Sequence, residues 1–225
     1  MIQRLIGKLR GVHHGAISMQ EMRRLVDRPD PVILEIGAHH GTETLRFLET
    51  FEHATVYAFE ADPDVAKIWH ANVKDPRAEL IEMAISSQKG ALTFHRSRST
   101  DDTREGDASG SLKAPTEQMD RFPHIKFDQD ITVPAISLDE WVAEAGLDRI
   151  DFIWADVQGA EDQLIAGGRQ TLEAARHFYT EYGKYQLYQG HLSFDALVKL
   201  LPNHRVTKRW RHDVLLESTL ARHAG

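Results

Sequence analysis

Short unbroken apolar runs alternate with stretches whose apolar residues fall three or four apart, beginning at Pro31. Val32-Ile33-Leu34-Glu35-Ile36 runs into a glycine and reads as a buried strand. Thr42 to Phe51 carries Leu45, Phe47 and Leu48 at helical spacing. Thr55-Val56-Tyr57-Ala58-Phe59 is a second strand, Val65 to Val73 a helix, and Leu80 to Ile85 a third strand followed by an extended piece through Phe94. Ser137 to Ala145 is a helix with Ser137 as N-cap and Glu140 as its capping-box partner. Ile150 to Ala155 and His177 to Tyr182 are further strands. The helix between them starts near Ala160 and stops at Gly167-Gly168, and a last helix spans Ser193 to Leu201.

Two regions break this rhythm. Ser97 to Gln129 is rich in Arg, Asp, Ser and Thr and broken by Gly106, Gly110, Pro115 and Pro123, so it is expected to leave the core as a polar insert. At the other end, Arg205 to Trp210 and Asp213 to Glu217 are joined by a short turn, which predicts an antiparallel hairpin. Strand–helix alternation implies an α/β, Rossmann-like, mostly parallel sheet with right-handed crossovers. Ligands then sit at the carboxyl ends of the strands, near the switch point at the first strand. The expected organisation is an N-terminal helical segment over 1–30 and one domain over 31–225.

At 225 residues the chain can bury a full central sheet with helices on both faces. A formal charge of -7 argues against a nucleic-acid partner, with Lys208-Arg209-Trp210-Arg211 as the local exception to consider. With no cysteine there is no disulfide framework, thiolate zinc site or cysteine nucleophile. No apolar stretch approaches the roughly 20 residues of a membrane span. Met1 to Arg10 is basic and mildly amphipathic but lacks the apolar core of a signal peptide, so a cytoplasmic protein is expected.

Glu35-Ile36-Gly37-Ala38-His39-His40-Gly41 occupies the place of a nucleotide loop. Gly37 permits a sharp turn off the strand, and Gly41 permits close approach of the next helix. Glu60 ends the second strand, where a carboxylate can accept both hydroxyls of a ribose. The three-glycine pyrophosphate pattern is incomplete because Thr42 follows Gly41, and no Tyr-x-x-x-Lys pair occurs. Those absences and the closing hairpin favour S-adenosylmethionine over NAD.

The same residues resemble the FkbM-type methyltransferase family. The resemblance runs from about Val32 to Leu216 and rests on the first loop, on Ala58-Phe59-Glu60-Ala61-Asp62-Pro63, on Ser137-Leu138-Asp139 and on Ile150 through Glu161. Ser109-Gly110-Ser111-Leu112 in the insert resembles the family too. Gln158 and Ala61 depart from it, where the family usually has Glu and often has Pro. The resemblance implies the class I methyltransferase sheet of seven strands and O-methylation of a hydroxyl on a small molecule, sugar or glycolipid.

On this reading Glu35, Gly37, Ala38, His39 and Gly41 surround the methionine end, Glu60 meets the ribose, and Ala61, Ala84 and Ile85 line the adenine. Asp156 meets the methionine amino group or the acceptor, and Glu161 supports its loop. Asp156, Glu181 and His39 are the candidates for the general base that a hydroxyl acceptor needs. His191 and Asp195 could act as a pair or cap a helix. No transition-metal spacing is present, and magnesium on Asp156 and Glu181 is the lesser alternative to a metal-free site. The rival functions are an inactive cofactor-binding or interaction protein and an NAD-dependent oxidoreductase.

Overall fold

A computed structural model describes residues 17–101 and 107–221; the basic Met1 to Arg10 stretch lies outside them. Ten strands are described: β1 (Val32–Ile36), β2 (Thr55–Phe59), β3 (Ala78–Ile81), β4 (Ala84–Ser86), β5 (Gly90–Ser99), β6 (Ile125–Ser137), β7 (Phe152–Ala155), β8 (His177–Glu181), β9 (His204–Arg209) and β10 (Asp213–Ser218). The described helices are α1 (Met19–Val26), α2 (Thr42–Thr50), α3 (Pro63–Asn72), α4 (Gln118–Arg121), α5 (Leu138–Ala145), α6 (Glu161–Gly167), α7 (Arg169–Ala174) and α8 (Phe194–Leu200).

Seven strands form one sheet in the order β3-β2-β1-β7-β8-β10-β9. All of its pairings are parallel except those of β10, which runs antiparallel to β8 and β9. This is the expected α/β sheet with its closing hairpin. The central strands are apolar on both faces because helices cover both. Leu34, Ile36, Ile153, Phe178 and Leu216 enter one core with Leu138, Leu164 and Leu197 of the helices. Ile33, Val56, Phe152, Trp154 and Leu215 enter the opposite core with Phe47 and Trp69. Ile17, Met22 and Val26 pack into that second core, so α1 closes one face of the sheet.

The structure corrects two expectations. The run from Leu80 to Ile85 is two strands: β3 ends the large sheet at Ile81, and β4 joins β6 in a separate sheet of order β4-β6-β5. A strand that leaves one sheet for another keeps the same local apolar pattern, so the sequence does not mark the break. Second, the ends of the 97–129 segment belong to strands, because Ser97–Ser99 closes β5 and Ile125–Gln129 opens β6. Its charges are a cross-strand ladder: Arg98 pairs with Asp128, and His95 Nδ1 lies 2.7 Å from Asp130. Gly167-Gly168 ends α6 as expected, and a further short helix, α7, follows directly. A Cβ on Gly167 would lie 2.0 Å from the Ser86 carbonyl oxygen, so this glycine serves the close approach of α6 to β4.

Candidate active site

Strand register brings the first chemical residues together. Ile36 pairs with Phe59 on one side and Ala155 on the other, and Ala155 pairs with Thr180. Gly37, Glu60, Asp156 and Glu181 are each one residue beyond that row, so they stand abreast at the carboxyl ends of four strands. The N–H groups of Gly37 and Ala38 both donate to Phe59 O, at 3.0 and 2.9 Å, which folds the loop back over β2. Gly37 has φ 89°, and a Cβ there would lie 1.9 Å from Asp156 O. Only glycine fits that turn.

A cavity of about 1000 Å³ opens over this row. Its size lies at the top of the roughly 300–1000 Å³ range of ligand pockets. The floor carries Glu35, Gly37, Ala38, His39, Glu60 and Asp156. An apolar slot is formed by Ala61, Met83, Ala84, Ile85, Phe94 and Leu112. Glu181 stands at the far end, beside Tyr179, Tyr182 and Asp213. Thus every expected cofactor contact lines one cavity except Gly41. That residue, with φ 83°, caps α2, and a Cβ on it would lie 2.5 Å from Val73 and 2.9 Å from Trp69. It serves the packing of α2 against α3.

The floor is held by backbone and buried hydroxyl groups. The Glu60 carboxylate accepts from His39 N–H at 2.9 Å and Asp62 N–H at 2.8 Å. Glu35 accepts from the Thr44 hydroxyl, which accepts in turn from Trp69 Nε1 at 3.0 Å. His39 takes φ 46° and stacks on His40 with ring centroids 3.7 Å apart. Burial pushes the Glu60 carboxyl above its usual range despite those two N–H donors. It drives Glu35 well above, against the Thr44 hydrogen bond. Burial also raises Asp156, opposed by the Gln158 amide 2.5 Å away. Glu181 stands well above the ordinary value through burial and the nearby Asp156, Asp213 and Glu161. Among the described residues no Lys or Arg forms an ion pair with Glu35, Glu60, Asp156 or Glu181. Such a concentration of acids is costly when empty and suits a cationic ligand.

The loop after β7 is strained and tied down. Gln158 has φ 49° and Gly159 has φ 93°. The Gln158 side chain lies 3.0 Å from the Tyr188 hydroxyl, which also lies 2.8 Å from Ser109 O, and the Ser111 hydroxyl donates to Gln158 O at 2.7 Å. Ala108, Gly110 and Leu112 of the same segment line the cavity, so the polar insert covers the site. Glu161 is fully buried and accepts from Gly159 N–H at 3.2 Å, which fits its expected support of the loop. Burial raises its pKa to about 7. His191 packs near it, with Nε2 3.9 Å from the carboxylate, whereas Ser193 caps α8 by accepting from Ala196 N–H. His191 therefore lies beside Glu161, and the two alternatives offered for it and Asp195, a pair or a helix cap, give way to Ser193 as the cap.

Sequence reasoning missed the cavity's mouth. Arg121, Phe122, Lys184, Tyr185 and Arg211 line it from α4, from the segment after β8 and from the β9–β10 turn. None follows a strand pattern or a motif, and only the fold assembles them. Within the Lys208–Arg211 run, Lys208 pairs with Glu21 at 2.7 Å and the Arg209 guanidinium stacks 3.8 Å over Phe194, whereas Arg211 lines the cavity. No group of three or more metal-binding side chains occurs among the described residues. None of the described helices is long and apolar enough to cross a membrane.

The model of the methyltransferase FkbM domain matches residues 35–209. The chain is 39% identical to the 2-O-methyltransferase NoeI of Sinorhizobium fredii (strain NBRC 101917 / NGR234), over 96% of this chain and 93% of that protein. It is 28% identical to the AMB antimetabolite synthetase AmbE of Pseudomonas aeruginosa, over 85% of this chain but 10% of that much longer protein. Among solved structures, a TehB-like SAM-dependent methyltransferase from Corynebacterium glutamicum is 12% identical, covering 96% of this chain and 95% of that one with a TM-score of 0.47.

Proposed function

Because the chain belongs to the FkbM family of S-adenosylmethionine-dependent methyltransferases, we propose that it methylates a hydroxyl group of a sugar, glycolipid or other small molecule. The similarity to a 2-O-methyltransferase supports an oxygen acceptor. One observation carries the site assignment: Gly37, Glu60, Asp156 and Glu181 stand in a row over a single cavity whose floor is rich in buried acids.

The residues fit the methyl donor. Gly37, Ala38 and His39 border the methionine end, with Glu35 and Asp156 as counter-charges for its cationic groups. Glu60 holds the ribose hydroxyls through the lone pairs that His39 and Asp62 leave open. Ala61, Ala84 and Ile85 face the adenine in the apolar slot. When bound, S-adenosylmethionine supplies an electrophilic methyl group on a positively charged sulfur. The chain supplies alignment and exclusion of water, effects that together lower such barriers by roughly 7–11 kcal/mol at best.

A hydroxyl must shed its proton as it is methylated, so a base in reach contributes roughly 10²–10⁴-fold. We assign that role to Glu181. Burial and its acidic neighbours raise its pKa, and an ionised carboxylate of higher pKa is the stronger base. His39 is the second candidate on the same cavity wall. Asp156, held by Gln158, belongs with the donor's amino group. No step here calls for a metal ion.

Thermal protection by S-adenosylhomocysteine tests the donor site, and its release on glycan and small-molecule hydroxyl panels tests turnover. Protection by NAD alone would replace this reading with an oxidoreductase. Protection by S-adenosylhomocysteine with no transfer to any hydroxyl would favour a protein that has lost catalysis. Glu181→Gln and His39→Gln separate the two bases, since only the variant of the true base loses the rise of rate with pH on the acidic limb of the pH–rate profile.

A further inference from the structure

The cavity lining carries cations as well as acids. Its floor gathers acids, while its mouth gathers Arg121, Lys184 and Arg211 in a chain whose formal charge is -7. These cations come from three separate segments, so no local pattern forces them together. Arg121 and Lys184 both address the ring of Tyr185, with the guanidinium 3.4 Å and the ammonium 5.7 Å from its centroid. Arg211 and Lys184 also act together on His212, whose pKa falls first through burial and then through their field. Three acids face the group: Glu117 pairs with Arg121 at 3.1 Å, and Glu181 and Asp213, opposite each other in the β8–β10 register, line the same cavity. Lys184 and Arg211 form no ion pair with a carboxylate among the described residues. Like charges held this close repel, and an anion between them would offset the repulsion. Tyr185 and Phe122 are exposed at the same mouth, 36% and 41% accessible, and offer flat apolar faces for a ring.

We propose that the acceptor carries an oxyanion (phosphate, sulfate or carboxylate) held by Lys184 and Arg211, while Tyr185 stacks on its ring and Glu181 faces the hydroxyl to be methylated. This rests on the methyltransferase reading of the cavity. The donor's positive charge goes to the acidic floor and the acceptor's negative charge to the basic mouth. The two ligands are thereby sorted to opposite ends and steered together.

The test uses the full chain saturated with S-adenosylhomocysteine, and titration with that nucleoside comes first. No binding at that stage defeats the methyltransferase reading itself and is distinct from failure of the proposal. Glucose phosphate, glucose sulfate and glucuronate are then compared with glucose by ligand-observed NMR. The anionic sugars should bind about tenfold more tightly than glucose at low salt, and salt should erase the difference. The best of the three identifies the oxyanion. Lys184→Glu combined with Arg211→Glu should abolish the preference and leave S-adenosylhomocysteine affinity unchanged, and the milder Lys184→Gln with Arg211→Gln should reduce it. Equal affinity for glucose and its anionic derivatives, no detectable binding of the anionic sugars, or a preference that survives the charge reversal would overturn the proposal.

Discussion

Glu60 and Lys184 line one cavity, yet opposite kinds of structure place them there. The Glu60 carboxylate sits one residue beyond a central strand, buried and fixed by two backbone N–H groups. Lys184 projects from the segment after β8, exposed, its ammonium 5.7 Å from the Tyr185 ring. The floor is set by strand register and cannot shift without moving the sheet. The mouth is set by side chains on connecting segments and can change while the sheet stays. A scaffold built this way keeps one end for a constant donor and leaves the other free to suit an acceptor.

The largest break in that contrast should come at Gly37. Alanine there must adopt φ 89° and push against Asp156 O. We expect Gly37→Ala to lose more than about 3 kcal/mol of stability in urea unfolding and all measurable S-adenosylhomocysteine affinity. Unfolding at the wild-type urea concentration would mean that the floor is as tolerant as the mouth.

Next in size is Glu161, whose carboxyl is raised from 4.5 to about 7 by burial, with Asp156 and Asp162 adding to the rise. Between those values the folded state holds a proton that the unfolded state has released. Stability therefore falls as pH rises through that window, by about 3 kcal/mol when ionisation is complete. Burial lowers the pKa of His191 beside it, so the unfolded chain binds a proton there that the folded chain does not, and this opposes part of the loss below about pH 6.5. Glu161→Gln keeps an acceptor for Gly159 N–H and should flatten the profile between about pH 5 and about pH 8. A variant as pH-sensitive as the parent would assign the titration elsewhere.

Glu60→Ala should weaken S-adenosylhomocysteine by about tenfold, or ~1.4 kcal/mol, read by calorimetry. Unchanged affinity would remove Glu60 from the donor site. The smallest effect belongs to the mouth. Tyr185→Ala should alter unfolding by less than about 0.5 kcal/mol and leave donor affinity untouched. Its acceptor KM should rise several-fold, and a donor-affinity loss matching that of Glu60→Ala would erase the distinction between the two ends.

The α/β sheet, its closing hairpin and the row Gly37, Glu60, Asp156 and Glu181 were legible in the chain because each depends on local chemistry. A buried strand needs an apolar run, and the residue after it falls at the strand's end wherever the strand lies in the sheet. Glycine at 37 is demanded by one backbone angle, and Ser137 by one helix end. The departure of β4 into a second sheet was illegible, since the apolar pattern from Leu80 to Ile85 is the same for one strand or two. The charged ladder between β5 and β6 was mistaken for loop because polar residues on a solvent-facing strand look like polar residues in a turn.

Gly41 shows the same limit at a single residue: the loop pattern marked a glycine for close helix approach, but only the fold shows that Trp69 in α3 and Val73 at its end are what it approaches. The meeting of Arg121, Lys184, Tyr185 and Arg211 depends on chain segments tens of residues apart, and no period or spacing encodes it. Sequence by itself determined the sheet, its closing hairpin and the row of residues at the strand ends, because these follow from neighbours along the chain. Tertiary structure alone decided the cavity's basic mouth, because a lining made of side chains on separate loops exists only once the sheet has placed those loops side by side.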